Sequence, residues 1–172
     1  LSLHEKLRTI VFQKELGSLL DKVERLKRGG LFLQKVLSIS SASYVERAAA
    51  LAKADLASGM VFEFPELQGT IGKRYALAQG EALEVATAIE EHWWPKGEKD
   101  QLPCTDTGFL LSLADKFDNL VGYFAAGMKP TSSSDPYGLR RQVLGMIRML
   151  LSKKVFLPLQ ETLEFFQKGL PK

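Results

Sequence analysis

Two adjacent arginines, Arg140 and Arg141, follow Ser134-Asp135-Pro136, a helix-start signature in which the aspartate caps and the proline takes the first turn. A guanidinium fork holds two phosphate oxygens at once, and the open N–H groups of a helix start suit the same anion, although the Asp135 charge partly opposes it. The chemistry on offer is phosphate binding; a solvated or salt-bridged helix face explains the same residues equally well. Lys73 and Arg74 follow Gly69 and Gly72, where a slim backbone could approach an RNA chain closely. Trp93 and Trp94 could stack on bases, but no regular stacking motif surrounds them, and core or subunit packing is the favoured reading. His92 falls at the end of an expected helix, where an imidazole meets the negative end of the dipole. The lone Cys104 permits no internal disulfide and is read as an inert thiol.

The elements that must position these groups read as helices. Leu16, Leu19, Leu20, Val23 and Leu26 recur at three-to-four spacing, with Asp21, Lys22, Glu24 and Arg25 between them, so a helix lies on a core and Gly29-Gly30 is expected to stop it. Ser43-Tyr44-Val45-Glu46 reads as a capping box that opens a helix over 44–58. Pro65-Glu66 opens another, running toward Leu77 and ending near Gly80, and 82–91 repeats the pattern. The segment 95–103 breaks the periodicity as a loop. From an N-cap at Asp106, the positions Phe109, Leu110, Leu113, Phe117, Leu120, Val121 and Phe124 mark the longest helix, ended by Gly127. Leu139, Val143, Ile147, Leu150 and Leu151 give the helix after Pro136 its apolar face, and Pro158 begins a last one. With no alternating run long enough for a substantial sheet, the fold class is all-α, a helical bundle over residues 1–172.

With 172 residues, 45% hydrophobic and 25% charged, the chain can bury one substantial core. A net charge of +3 permits a basic groove without implying one. No apolar run approaches the roughly 20 residues that span a bilayer, so no membrane partner is expected and the reading is cytoplasmic. A start at Leu1 suggests an excerpt of a longer polypeptide.

The stretch Ala52-Lys-Ala-Asp-Leu-Ala-Ser-Gly-Met-Val-Phe-Glu-Phe-Pro-Glu-Leu-Gln-Gly69, followed by Ile71-Gly-Lys-Arg-Tyr-Ala76, closely resembles the beta subunit of bacterial glycyl-tRNA synthetases. Leu113-Ala-Asp-Lys116 with Asp118 agrees in order, as does Pro130-Thr-Ser-Ser-Ser-Asp-Pro-Tyr-Gly-Leu-Arg-Arg141, where Ser132 stands in place of the family's usual glycine. The resemblance implies a degenerate domain of the HD type, otherwise a scaffold of metal-dependent phosphohydrolases. It also implies service beside an alpha part, separate or fused, that uses ATP and Mg to charge tRNA-Gly with glycine. On that view this region binds and orients tRNA-Gly and contacts the alpha part and other beta-subunit domains.

An active HD site needs several histidines, a His-Asp pair and a later aspartate, because imidazole and carboxylate together fix the ion and orient water. The resemblance puts Ala54-Asp55 at the place of that pair and Asp115 at the later aspartate, with His4 and His92 the only histidines. No catalytic residue and no metal or cofactor are expected in this region, and Asp55 and Asp115 are read as vestigial. Lys53, where metal-binding histidines cluster in related hydrolases, joins Arg140, Arg141, Lys73 and Arg74 as an expected tRNA contact. The rival readings are a structural spacer, and a residual hydrolase using Asp55, Asp115 and His92 around magnesium.

Overall fold

The computed structural model describes residues 2–171. Nine α-helices fall within them: α1 (Leu3–Lys6), α2 (Leu19–Leu37), α3 (Ala42–Leu51), α4 (Gly59–Glu63), α5 (Thr70–Ala78), α6 (Leu83–Glu91), α7 (Asp106–Ala125), α8 (Leu139–Lys153) and α9 (Leu159–Lys168). A two-stranded antiparallel hairpin, β1 (Val11–Gln13) and β2 (Gly17–Ser18), precedes α2. The helical-bundle class therefore stands. Among the described residues no helix is long and apolar enough to cross a membrane.

α7 is the central element. Every residue from Thr107 to Asp118 is buried, because α2 and α3, α6, and α8 and α9 pack around it on different sides. Leu26 and Leu33 of α2, Phe109, Leu113 and Phe117 of α7, Met149 of α8 and Phe166 of α9 share one core. Leu7, Leu19 and Val23 form a smaller one beneath the hairpin.

Gly29-Gly30 does not stop α2, which continues to Leu37 and closes at Ser38 in the left-handed region. The glycines serve close packing instead. A Cβ on Gly29 would sit 2.5 Å from Cε1 of Phe166, and one on Gly30 would sit 2.9 Å from Cγ1 of Val45, so both hydrogens let α9 and α3 approach α2. The helix expected over 44–58 is also different. It begins at Ala42 with Ser41 as N-cap, and Ser43 makes no capping box, its hydroxyl pairing with that of Ser41 instead. It ends at Leu51, after which Ala54–Ala57 form a single 3-10 turn that carries Asp55.

Downstream, Pro65 opens a 3-10 turn, and α5 starts only at Thr70, after Gly69 at φ 84°. The N-cap of α7 is Thr105, whose Oγ accepts from the Gly108 N–H at 3.0 Å. α8 starts at Leu139 rather than Pro136, because Gly138 intervenes in a left-handed conformation. Asp135 still caps it at one remove, its carboxylate accepting the N–H groups of Leu139 at 2.8 Å and Arg140 at 2.9 Å.

Candidate functional site

Four charged residues that local spacing assigns to solvent or to vestigial roles meet in the interior. Lys22 and Arg25 are one turn apart on α2, and Asp115 and Asp118 are one turn apart on α7, so the two pairs face each other where the helices pack. Arg25 grips Asp118 with Nε at 2.7 Å from Oδ1 and Nη2 at 3.3 Å from Oδ2, while Nη1 donates to the Leu16 carbonyl at 2.8 Å. The Lys22 ammonium donates to Asp118 Oδ2 at 2.9 Å and Asn119 Oδ1 at 2.7 Å, and lies 3.1 Å from Asp115 Oδ1.

Lys53 enters from the opposite side. Its ammonium is 3.2 Å from the same Asp115 oxygen and 3.6 Å from the centre of the Trp93 ring, whose negative face receives the charge. Asp115 Oδ1 thus stands between two ammoniums at ion-pair distance, although neither contact has hydrogen-bond alignment. Burial alone would raise the Asp115 carboxyl, but Lys22 and Lys53 outweigh it and hold the group far below the usual carboxylate range. Burial also pulls Lys22 downward, and Asp115 and Asp118 reverse that, leaving it above its ordinary value. Lys116, next along α7, donates to the Trp94 carbonyl at 2.9 Å and to Ser112 Oγ at 2.8 Å.

Asp55 lies behind this cluster, its Oδ2 accepting the Gly69 N–H at 2.6 Å and its Oδ1 unpartnered. Burial raises its carboxyl above the ordinary value. Gly69 and Gly72 make the fit possible. A Cβ on Gly69 would stand 2.5 Å from Trp93 Cδ1, and one on Gly72 would stand 2.8 Å from Ile89 Cγ2 and 3.1 Å from Asp55 Oδ2. These glycines bring the backbone close to Trp93 and Asp55, not to an external chain. His92 ends α6 fully buried, its Nδ1 2.6 Å from the Ile89 carbonyl and its Nε2 unpartnered.

This donor set does not fit a divalent ion. A magnesium or calcium site gathers several oxygens within about 2.6 Å of the cation. Here two ammoniums stand within ion-pair distance of Asp115 Oδ1, and their charge repels a cation at this carboxylate. Asp55 is turned to the Gly69 backbone. Among the described residues no three of His, Cys, Asp and Glu converge in a way that could hold a metal. The arrangement cross-links α2, the turn after α3 and α7 through lysine, arginine and aspartate charges.

The sequence profile of the glycyl-tRNA synthetase beta subunit matches residues 1–171. The chain belongs to that family. It is 46% identical over 159 residues to the glycine–tRNA ligase beta subunit of Syntrophomonas wolfei, which covers 92% of this chain and 23% of that protein. The Azotobacter vinelandii beta subunit is 47% identical over 164 residues, 95% of this chain and 24% of the relative. That of Geobacter sp. strain M21 is 48% identical over 157 residues, 91% of this chain and 23% of the relative. The chain therefore spans about a quarter of the length of these beta subunits.

For the beta-subunit surface, the outcome differs residue by residue. Lys53 is corrected: at 1% exposure, enclosed by Asp115 and Trp93, it has no face to offer a phosphate. Lys73 is half-buried and held by Glu90 at 2.9 Å. Arg74, Arg140 and Arg141 are exposed. The Arg140 guanidinium donates to the Thr131 carbonyl, and that of Arg141 lies against Gly138. Lys22, Arg25, Lys116 and Asp118 are the interior residues that local reading misses; the signal is the matching one-turn spacing of opposite charges in two separate helices.

The buried bases make stability depend on pH. Burial brings Lys53 from 10.5 to about 8, with Asp115 limiting the fall, and burial likewise brings Lys116 to about 8. Between those values the unfolded chain binds more protons than the folded one, so stability rises with pH through that window. On the acid side, burial and then the Lys53 charge hold His92 well below 6.5. Below 6.5 the unfolded imidazole takes a proton that the folded one refuses, and stability falls. The urea midpoint is expected to climb from pH 5 to pH 9; a flat or falling profile would contradict this.

Proposed function

We propose that this beta-subunit region is a non-catalytic helical domain, degenerate HD-like in type, that helps bind and orient tRNA-Gly for ATP-dependent glycylation by the alpha part of a cytoplasmic synthetase. The support is a division among its cations. Eight ion pairs occur among the described residues, and none of them uses Arg74, Arg140 or Arg141. Lys22, Arg25 and Lys53 are consumed in building the interior, whereas these three arginines stand exposed and uncommitted to any carboxylate. Arg140 and Arg141 sit on the first turn of α8 and face different depressions, so each would take a separate phosphate of an RNA backbone. ATP and Mg belong to the alpha part in this reading.

In the full-length subunit assembled with its alpha partner, the R140A/R141A double variant is expected to bind tRNA-Gly roughly 10- to 100-fold more weakly, each lost phosphate contact flattening the salt slope by about 1. Glycine activation without tRNA should be unchanged. Equal tRNA affinity at two salt concentrations would remove Arg140 and Arg141 from the interface.

A second reading, a spacer that packs against other beta-subunit domains, has its own support. Leu144, Ile147 and Leu151 form an outward apolar stripe on α8, continued by Phe156 at 87% exposure. Aspartate at Ile147 and Leu151 should then disturb assembly of the full subunit while leaving tRNA phosphate contacts intact.

A further inference from the structure

A cavity of about 360 Å³ opens between the segment after α6, the middle of α7 and the start of α8. Its floor carries Asp115 and Lys116, its sides Trp93 and Tyr137, and Arg141 and Lys96 bring two more positive charges to it. Three features mark it as a place for an anion.

The first is charge. Lys22, Arg25, Lys53 and Lys116 are buried, as are the carboxylates Asp55, Glu91, Asp115 and Asp118, but Glu91 is turned away to Cys104 and Thr105 at the start of α7. Asp115 is the one acid that lines the cavity, and its charge is answered from behind by Lys22 and Lys53 at 3.1 and 3.2 Å. The second is unused donor capacity. An ammonium has three N–H groups, and Lys116 spends two of them, on Trp94 and Ser112. The third is Arg141, exposed and free of any carboxylate, with the planar fork that matches phosphate.

We propose that this cavity is a phosphate site, in which Lys116 and Arg141 hold the oxygens of a terminal phosphate group beside the Trp93 indole. It takes its charge complementarity from lysines, without a metal, and it catalyses no hydrolysis. The phosphate has two chemical sources, the 5′ end of an RNA or a free mononucleotide. The site shares Arg141 with the docking role proposed for α8 but not Arg140, which lines a different, apolar depression, so R140A separates the two.

The test uses the full-length subunit with its alpha partner and inorganic phosphate as the first probe, followed by equilibrium dialysis or calorimetry. R141A and K116Q are expected to weaken phosphate binding by about tenfold each, with R140A unchanged. R141A removes an exposed side chain, so its result stands even if K116Q folds poorly. AMP binding with the same losses assigns the site to free nucleotides. A drop in RNA affinity on removing the 5′-phosphate, absent in R141A, assigns it to an RNA end. Phosphate that fails to bind at roughly 10 mM, or binds equally to R141A, overturns the proposal. A tRNA affinity lost in R140A alongside such a null result would leave the docking role standing and the cavity empty of function.

Discussion

Replacing Asp115 with alanine is expected to destabilise the 172-residue chain by about 3–5 kcal/mol, the usual cost of leaving a buried charge without its partner. Two ammoniums depend on one oxygen, but not equally. Lys22 keeps Asp118 and Asn119 at 2.9 and 2.7 Å. Lys53 keeps only the Trp93 ring, with Asp55 as a more distant charge, and must either remain charged in the interior or give up its proton. K53M tests the same contact from the other end: it removes the desolvated ammonium, fills similar volume and leaves Asp115 paired with Lys22, so its cost should stay within about 1.5 kcal/mol. Adding K53M to D115A should restore part of the loss, a coupling of about 1 kcal/mol or more in urea unfolding. A D115A variant within about 1 kcal/mol of the parent would show that the lysines find other partners and that Asp115 is not the cross-link between α2 and α7.

The elements legible in the sequence are those decided by their own residues. α7 follows from the three-to-four spacing of Phe109, Leu113, Phe117 and Leu120, and α9 from the proline before it, because period and breaker act within a few residues. Gly29-Gly30 misleads for the opposite reason. A glycine pair lowers local helix propensity by about 1 kcal/mol per residue, yet Phe166 and Val45, distant in sequence, can reach α2 only where a side chain is missing.

The interior charges escape a local reading for the same cause. Lys22 and Arg25 fall between apolar positions and read as solvent-facing, while the aspartate that buries them lies more than ninety residues onward. Lys53 reads as an RNA contact because the resemblance sets it where metal-binding histidines cluster in related hydrolases. Its burial depends on Trp93 and Asp115, which no local window contains. The family resemblance pairs Asp55 with Asp115 as remnants of one metal site, whereas the structure gives them separate contacts: Asp55 accepts the Gly69 backbone N–H, and Asp115 joins two ammoniums.

The start of α7 offers the second large effect, because the helix that carries Asp115 and Asp118 is anchored there by Glu91. This side chain, 2% exposed, accepts the Cys104 N–H at 2.9 Å on Oε1, and the Thr105 N–H at 3.0 Å and Thr105 hydroxyl at 2.6 Å on Oε2. Thr105 in turn caps α7 through Gly108, which must be glycine since a Cβ there would lie 2.2 Å from Glu91 Oε2. E91A therefore orphans two backbone donors, frees the capping hydroxyl to rotate away and removes a negative charge from a helix N-terminus. At about 1–3 kcal/mol for each unsatisfied donor and up to about 1 kcal/mol for the dipole, partly offset by water entering the gap, a net loss of about 3 kcal/mol is expected. E91Q keeps the volume but turns one acceptor into a donor, so it should fall between E91A and the parent. Hydrogen exchange adds the local readout: amides 104–108 should lose protection before those in the middle of α7. An E91A variant as stable as the parent, with those amides still protected, would mean that α7 is held by its apolar packing alone and that the Glu91 staple adds nothing.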